Sequence, residues 1–600
     1  MKSVAVSVLP VLASAAVLGL IPAVLAHGDD MDMKMGGEAD KPLPEDQYAP
    51  TYFGLHEHRG AIYGHIGLMV LAWVFMLPVA VMLSLARSRY TLVSQCVFLA
   101  ANAGGLFLGV IYNASTPDLY PNNAHHKLGW IVSFIVGAQV VVGLLAKIAG
   151  LFSKKNSGKR GHAHERQSFI PVSTEAMAEH ESSYPKIPRP SNDSGQGTEP
   201  GTESLRSSSG SHSPPIPLND FHKEYDEDDH DEIDDLEAHI ASFSPKPSTR
   251  TTQSLARKVA GKISSRFWRV LLFAYNFVDR TSLILGFISL ATGVIAYGRL
   301  FEGHQIFTGL AHWIKGGIFF WLGIFTLGRW AGSFGELGWA WNIRPKQAGS
   351  RKWRPSAEFV ESALIFVYGS TNVFLEHLGN WGKDYSPEDL EHISITILFI
   401  GGGLCGMLVE STSMRDLLNM TVTEAAAASR ATPLPEHGYR DEESGGTEER
   451  DNQLRQPETY QFSMNPIPAL VILLLGIMMS SHTQESMISS MVHKQWGNLL
   501  AGASFARGFT YVLTYLKPPR SIYPSRPPTE LLTSFGLISG GIIFMASSGD
   551  TVIGMIHYGL DAMFMYTVTM GFVGLLMAWV IMCIALKGWA VRKEAAAARS

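Results

Sequence analysis
About eleven stretches of roughly 20 apolar residues recur along this chain, and a soluble fold cannot absorb so many. They cover 60–86, 93–112, 125–151, 281–300, 305–329, 358–379, 389–410, 466–481, 495–516, 529–547 and 563–587. A stretch of that length crosses a bilayer only as a helix, because each backbone N–H and C=O must find its partner within the segment. The expected fold is therefore all-α, a multi-pass bundle of about eleven transmembrane helices with the lipid bilayer as its surroundings. Overall composition hides this. The 600 residues are 46% hydrophobic and 17% charged, yet mean hydropathy is only +0.10, because two long polar tracts are averaged with the spans. A net charge of −5 gives no reason to expect a nucleic-acid partner. Cys96, Cys405 and Cys583 each fall inside an apolar span, so neither a disulfide framework nor a CxxC metal site is expected.

Residues 1–26, MKSVAVSVLPVLASAAVLGLIPAVLA, have the basic start, apolar middle and small-residue end of a signal peptide, with cleavage expected after Ala26. The mature tail, 27–59, would then open HGDDMDMKMGGE. Its terminal amine and the His27 imidazole can chelate one metal, and Met31, Met33 and Met35 offer thioethers that select Cu(I). With that terminus lumenal or extracellular, the loops after 86, 151, 329, 410 and 516 and the carboxyl tail are cytosolic. They read ARSRY, SKKNSGKR, RPKQAGSRKWRP, MRD, KPPRSIYPSRPP and KGWAVRK, in keeping with the positive-inside bias. The expected location is a secretory-pathway or plasma membrane with the carboxyl terminus in the cytosol.

Polar tracts divide the array. Residues 152–265 are rich in Ser, Pro, Gly and acid, including EYDEDDHDEIDDLE, and read as a disordered cytosolic linker open to cytosolic protein partners. Residues 411–465 read as a second cytosolic linker. FWRVLLFAYNFVDR, just before the fourth span, reads as an amphipathic helix on the membrane surface. This leaves a three-helix unit at 60–151 and a longer helical unit in two parts, 266–410 and 466–600.

Sorting the histidines by side is informative. His65 lies about 7 Å inside the lumenal end of the first span, at 1.5 Å per residue. His125 and His126 open the third span from the same side. His304, His312, His377, His392, His482, His493 and His557 also fall at expected lumenal ends or loops, and none of the membrane-associated histidines falls at a cytosolic helix end. Ionisable groups within spans usually face the bundle interior and serve a function, and neutral imidazole is the commonest metal ligand. One alternative is that histidine is simply tolerated at the interface.

His65-Ile-Gly-Leu-Met-Val-Leu-Ala-Trp73, then Leu77-Pro78 and Arg87, together with His126-Lys-Leu-Gly129, Gln139 and Gly143, resemble helices of the cytochrome b-561 transmembrane family. That resemblance implies one b-type haem with His65 and His126 as its axial pair, His125 being the local rival. The second span, SQCVFLAANAGGLFLGV, holds no histidine, so a second haem is not implied. The whole chain resembles the fungal Ytp-one-like integral membrane proteins, a family that implies no activity. FVESALIFVYGSTNVFLEHLGN with DLEHISITILFIGGGLCGMLVE is faintly similar to the transmembrane protein 45 family and adds Glu361, His377 and His392 as a polar cluster.

Three functions stay open at this level. The first is a redox protein, a haem b oxidoreductase with His65 and His126 holding the cofactor near the lumenal face and exchanging electrons with an unknown lumenal donor. The second is a copper or zinc transporter or sensor, its ligands drawn from His27, His125, His312, His377, His392, His482, His493 and His557 and its metal from an unknown lumenal donor. The third is a membrane anchor or adaptor working through the 152–265 linker. No P-loop, nucleophile elbow or HExxH motif is present, which argues against a soluble-type catalytic site.

Overall fold
The computed structural model describes residues 48–157, 265–303, 305–345, 355–377, 387–431, 457–482, 484 and 486–599. The signal peptide, the tail up to residue 47 and most of both linkers lie outside the described residues. Among those described, the regular elements are helical. They run α1 (Arg59–Leu85), α2 (Thr91–Ser115), α3 (Ala124–Ser157), α4 (Ser265–Tyr297) and α5 (Gln305–Ala331). These are followed by α6 (Ala357–His377), α7 (Pro387–Glu410), α8 (Thr412–Ala431), α9 (Ile467–Ser481) and α10 (Met487–Leu516). The last are α11 (Pro528–Ala546), α12 (Gly549–His557) and α13 (Ala562–Arg599).

Each expected span is helical, and eight of these helices are long and apolar enough to cross a membrane. The other three expected spans are α6, α9 and α10. α9 is short at 15 residues, while α10 carries Lys494 and Arg507 and α6 opens with Glu358 and Glu361. The chain is a multi-pass helical membrane protein. Within α1, Leu71–Met76 winds as a π-helix. Pro78 stands two residues beyond it, and a proline, lacking an N–H, cannot continue the regular i→i−4 ladder, so a widened turn just before it is the expected adjustment.

Two expectations are revised. FWRVLLFAYNFVDR is not a separate surface helix, because it forms the first half of the continuous α4. Residues 412–431, expected as linker, are helical: the run TEAAAASRA is built from strong helix formers. That helix leaves Leu417, Leu418 and Val422 between 65% and 76% exposed.

The chain forms two compact units that do not follow the linker. One comprises 1–70, 104–130 and 287–586, and the other 71–103, 131–286 and 587–600. In the second, Trp73 Nε1 donates to Asn102 Oδ1 at 2.9 Å and Asn102 Nδ2 to Ser133 Oγ at 3.3 Å, so buried polar groups link the helices. In the sequence, Asp279-Arg280 at the cytosolic entry of the fourth span reads as an interfacial pair; Asp279 is instead 6% exposed and accepts from Gln139 Nε2 at 3.0 Å.

In the first unit α11 is the central helix: 72% of its span is buried, against 22–33% for the other spans. Small residues let neighbours reach its backbone. A Cβ added at Gly541 would stand 2.5 Å from the Gly316 carbonyl of α5, and one at Gly316 the same distance from the Gly541 carbonyl. Gly476 and Gly497 join α9 to α10 in the same reciprocal way at 2.6 Å. Without a hydrophobic drive between helices in lipid, such close backbone approach is a main source of their adhesion. Gly541→Val is expected to cost about 3 kcal/mol, the upper end of overpacking effects. Gly571→Val, where a Cβ meets nothing within 4 Å, should change little. Thermal unfolding of the two variants in detergent checks this.

Candidate functional site
In the first unit the structure brings His65 of α1 against His125 of α3. Their ring centroids are 6.2 Å apart and their planes stand at 77°. His126, one residue on, is exposed, and its backbone N–H is taken by Asn123 Oδ1 at 3.0 Å. His125 therefore occupies the place beside His65 that the resemblance implied for His126. Adjacent residues on a helix point about 100° apart, so only one of the two can face α1.

The hydrogen-bond partners favour one tautomer for each ring. His65 Nδ1 lies 2.8 Å from the Gly105 carbonyl of α2, which only accepts, so Nδ1 carries the hydrogen. His125 Nδ1 lies 3.3 Å from Thr292 Oγ1 of α4. The Thr292 hydroxyl already donates to the Ser289 carbonyl at 3.0 Å, so its oxygen accepts from His125. Each imidazole is thereby left with its lone pair on Nε2, the arrangement in which ligating histidines are ordinarily held. Both rings rest on glycine. A Cβ at Gly109 would come 2.7 Å from His65 Nδ1, and one at Gly293 would come 3.1 Å from His125 Cε1.

The other candidate histidines are scattered, with one further pair. His312 of α5 and His493 of α10 lie 5.9 Å apart between centroids, and each Nδ1 meets a carbonyl one turn earlier, at 2.9 Å and 2.8 Å. His493 is buried beside Trp496, which stacks on Phe544. His482 Nδ1 sits 3.1 Å from Glu391 Oε2. His392 is half-buried on α7, and its carbonyl accepts from Thr396. His557 stacks on Tyr48 at 3.8 Å. Nearby, burial pushes the Asp550 carboxyl above its ordinary range while the Phe301 N–H, donating at 2.6 Å, opposes this. His377 closes α6, its side chain outside the described residues, as are His27 and His304. His56 and His58 are exposed. Among the described residues no three of His, Cys, Asp or Glu converge as a metal set.

A second polar centre went unread in the sequence. Arg329, in the last turn of α5, donates through Nη2 to Glu358 Oε1 at 2.8 Å and through Nη1 to Glu361 Oε1 at 3.1 Å. Its Nε donates to the Trp339 carbonyl at 2.8 Å. Arg507 of α10 donates to Glu361 Oε2 at 3.4 Å and to Thr326 Oγ1 at 3.0 Å. Arg507 Nε also stands 2.8 Å from Glu530 Oε1, but its N–H is not aimed at that oxygen, so this is an ion-pair contact without a hydrogen bond. The Trp341 ring lies 4.8 Å from one guanidinium and 5.8 Å from the other. None of the five charged residues is more than 6% exposed. Helix ends assist: Glu358 sits in a first turn and Arg329 in a last turn, where the helix dipole favours those signs. Glu361 belongs here, so the polar cluster expected with His377 and His392 does not hold it.

The signal for this centre was the charge inside ASFARGFTYVL and PPTELLTSF. Read singly, Glu530 passes for a helix cap and Arg507 for a lone charge within a span.

Comparison with known proteins places the chain. Residues 285–588 match the family described as Protein YTP1-like, C-terminal, and residues 46–149 match a domain of unknown function, DUF2427. Uncharacterized membrane protein C3B8.06 of Schizosaccharomyces pombe is 32% identical over 568 residues, covering 93% of this chain and 99% of that protein. Uncharacterized membrane protein YCR061W of Saccharomyces cerevisiae is 37% identical over 392 residues, 62% of this chain and 56% of that protein. Protein YTP1 of the same yeast is 21% identical over 230 residues, 38% of this chain and 39% of that protein. No solved structure matches the chain. With a family match across half its length and a relative aligned nearly end to end, the chain belongs to the YTP1-like family of fungal membrane proteins.

Proposed function
We propose that this membrane protein is a one-electron redox protein that holds one haem b between His65 and His125, at the lumenal face. The family match carries no activity, so the reading rests on one observation, the facing imidazole pair. Two metal–nitrogen bonds of about 2 Å plus two ring radii span about 6 Å, in line with the 6.2 Å between these centroids. A haem contributes the four remaining ligands itself, so two histidines suffice. Room beside His125 is supported by Gly129, one turn further along α3, where an added Cβ meets nothing within 4 Å. The bound group would supply reversible electron exchange. The protein's part is to present two Nε2 lone pairs, fix them through Gly105 and Thr292, and bury the site enough to tune its potential.

A second reading, a Cu(I) site, is favoured by the same pair, because two imidazoles are a sufficient ligand set for that ion alone among the metals considered. Zinc asks for about four ligands, and the described residues assemble no such set. Denaturing the purified protein in alkaline pyridine is expected to release about one haem b per chain. Haem-free protein from haem-replete cells would overturn the redox reading, and stoichiometric copper in that sample would establish the second.

A further inference from the structure
We propose that the buried charge network of the YTP1-like region is a proton-binding site, in which the Glu530 carboxyl carries one proton that exchanges with water.

The charges do not balance if all five groups ionise. Arg329 and Arg507 face Glu358, Glu361 and Glu530, an excess of one negative charge with no group above 6% exposure. An uncompensated charge at such depth is too costly to keep, and a buried carboxyl is neutralised by taking up a proton. The hydrogen bonds say which one. Glu358 and Glu361 accept aligned N–H donors from the two arginines. Glu530, 0% exposed, has no aligned N–H donor on either oxygen; only the Thr510 hydroxyl, which is also engaged by Thr529 and the Ala506 carbonyl, is near enough to reach it. Protonating Glu530 leaves two cations against two carboxylates, each of the latter already hydrogen-bonded.

The surroundings exclude the main alternative occupant. Arg507 Nε stands 2.8 Å from Glu530 Oε1, where a metal cation bound to that oxygen would meet a guanidinium. The groups acting on Glu530 are Arg507 of α10, Arg329 of α5, Glu361 of α6 and the Thr510 hydroxyl, which pairs with Thr529; Glu358, Tyr511 and the Trp341 ring lie around the two guanidiniums. Room for water lies beside the network. A cavity of about 20 Å³ opens between Glu361, Arg507, Ser504 and Thr533 on one side and Pro468 and Ile472 of α9 on the other. That volume admits about one water with several polar partners. Thr533 lies close to one turn beyond Glu530 on α11, so a water there is positioned to pass a proton toward the carboxyl. The step is a transfer from hydronium to a carboxylate oxygen, leaving a neutral acid and water.

Infrared spectroscopy of the full chain in lipid nanodiscs tests this. The wild type at neutral pH is expected to show the C=O band of a protonated carboxyl, shifting on transfer to D₂O within minutes and missing from Glu530→Gln. Because glutamine is a neutral isostere of the acid form, that variant should fold and melt like the wild type, whereas Glu361→Gln should melt well below it. A wild type without the band, a band that persists in Glu530→Gln, or a band that does not respond to D₂O would each overturn the proposal. So would Glu530→Gln unfolding as readily as Glu361→Gln, since Glu530 would then be an ionised partner of Arg507. The outcome is independent of whether haem is bound.

Discussion

Arg507→Met is expected to cost about 3–5 kcal/mol, the usual penalty for removing one member of a buried ion pair, enough to leave much of the protein unfolded or degraded. The loss is not mainly one of attraction. Glu361 is 6% exposed and divides its oxygens between Arg329 at 3.1 Å and Arg507 at 3.4 Å. Without Arg507 its charge keeps a single protein donor, and the adjoining cavity has room for only about one water to replace the other. Thr326 Oγ1 also loses its donor, and the Trp341 ring loses one of its two guanidinium neighbours. Arg507→Lys should recover only part of the loss, because one ammonium cannot reach Glu361, Thr326 and Glu530 in three directions. Arg507→Met with Glu361→Gln should be more stable than Arg507→Met alone, since charge is then removed from both sides of the pair. Melting of the detergent-solubilised variants, followed by size-exclusion chromatography, measures the series. If Arg507→Met melted within a degree or two of the wild type, the network would be hydrated, and the charge argument for Glu530 would fall with it.

The helices were legible because the bilayer imposes length and apolarity on each span, and those are properties of contiguous residues. α8 was not legible, since its polar composition outweighed its helix-forming run. The partner of His65 was legible only as a choice between two neighbours. Which of His125 and His126 faces α1 depends on how α3 rotates about its axis, and Gly109 and Gly293 set the seats the rings occupy. The ion network was not legible at all. Arg507 and Glu361 are 146 residues apart in sequence, and Arg507 and Thr326 are 181 apart, so nothing local marks them as partners. Glu361 drew notice, but beside histidines with which the structure does not group it. Asp279 looked interfacial beside Arg280 for the same reason, until Gln139 is brought to it.

The second large effect concerns the imidazole pair, and it separates the two rival histidines. On the proposed reading, His65→Ala and His125→Ala each remove one of two protein ligands, and a cofactor left with a single protein ligand is expected to be lost or to change its spectrum outright. His126→Ala removes an exposed side chain and should leave the site intact. Replacing the seat should act through position: Gly109→Leu puts bulk where a single Cβ already comes within 2.7 Å of His65 Nδ1, so the ring must leave the Gly105 carbonyl. The decisive measurement is the dithionite-reduced minus oxidised visible spectrum of the purified wild type beside these variants. A Soret band with sharp α and β bands is expected in the wild type and in His126→Ala, and its loss in His65→Ala and in His125→Ala. A spectrum lost in His126→Ala but kept in His125→Ala, or no haem bands in the wild type, would contradict this.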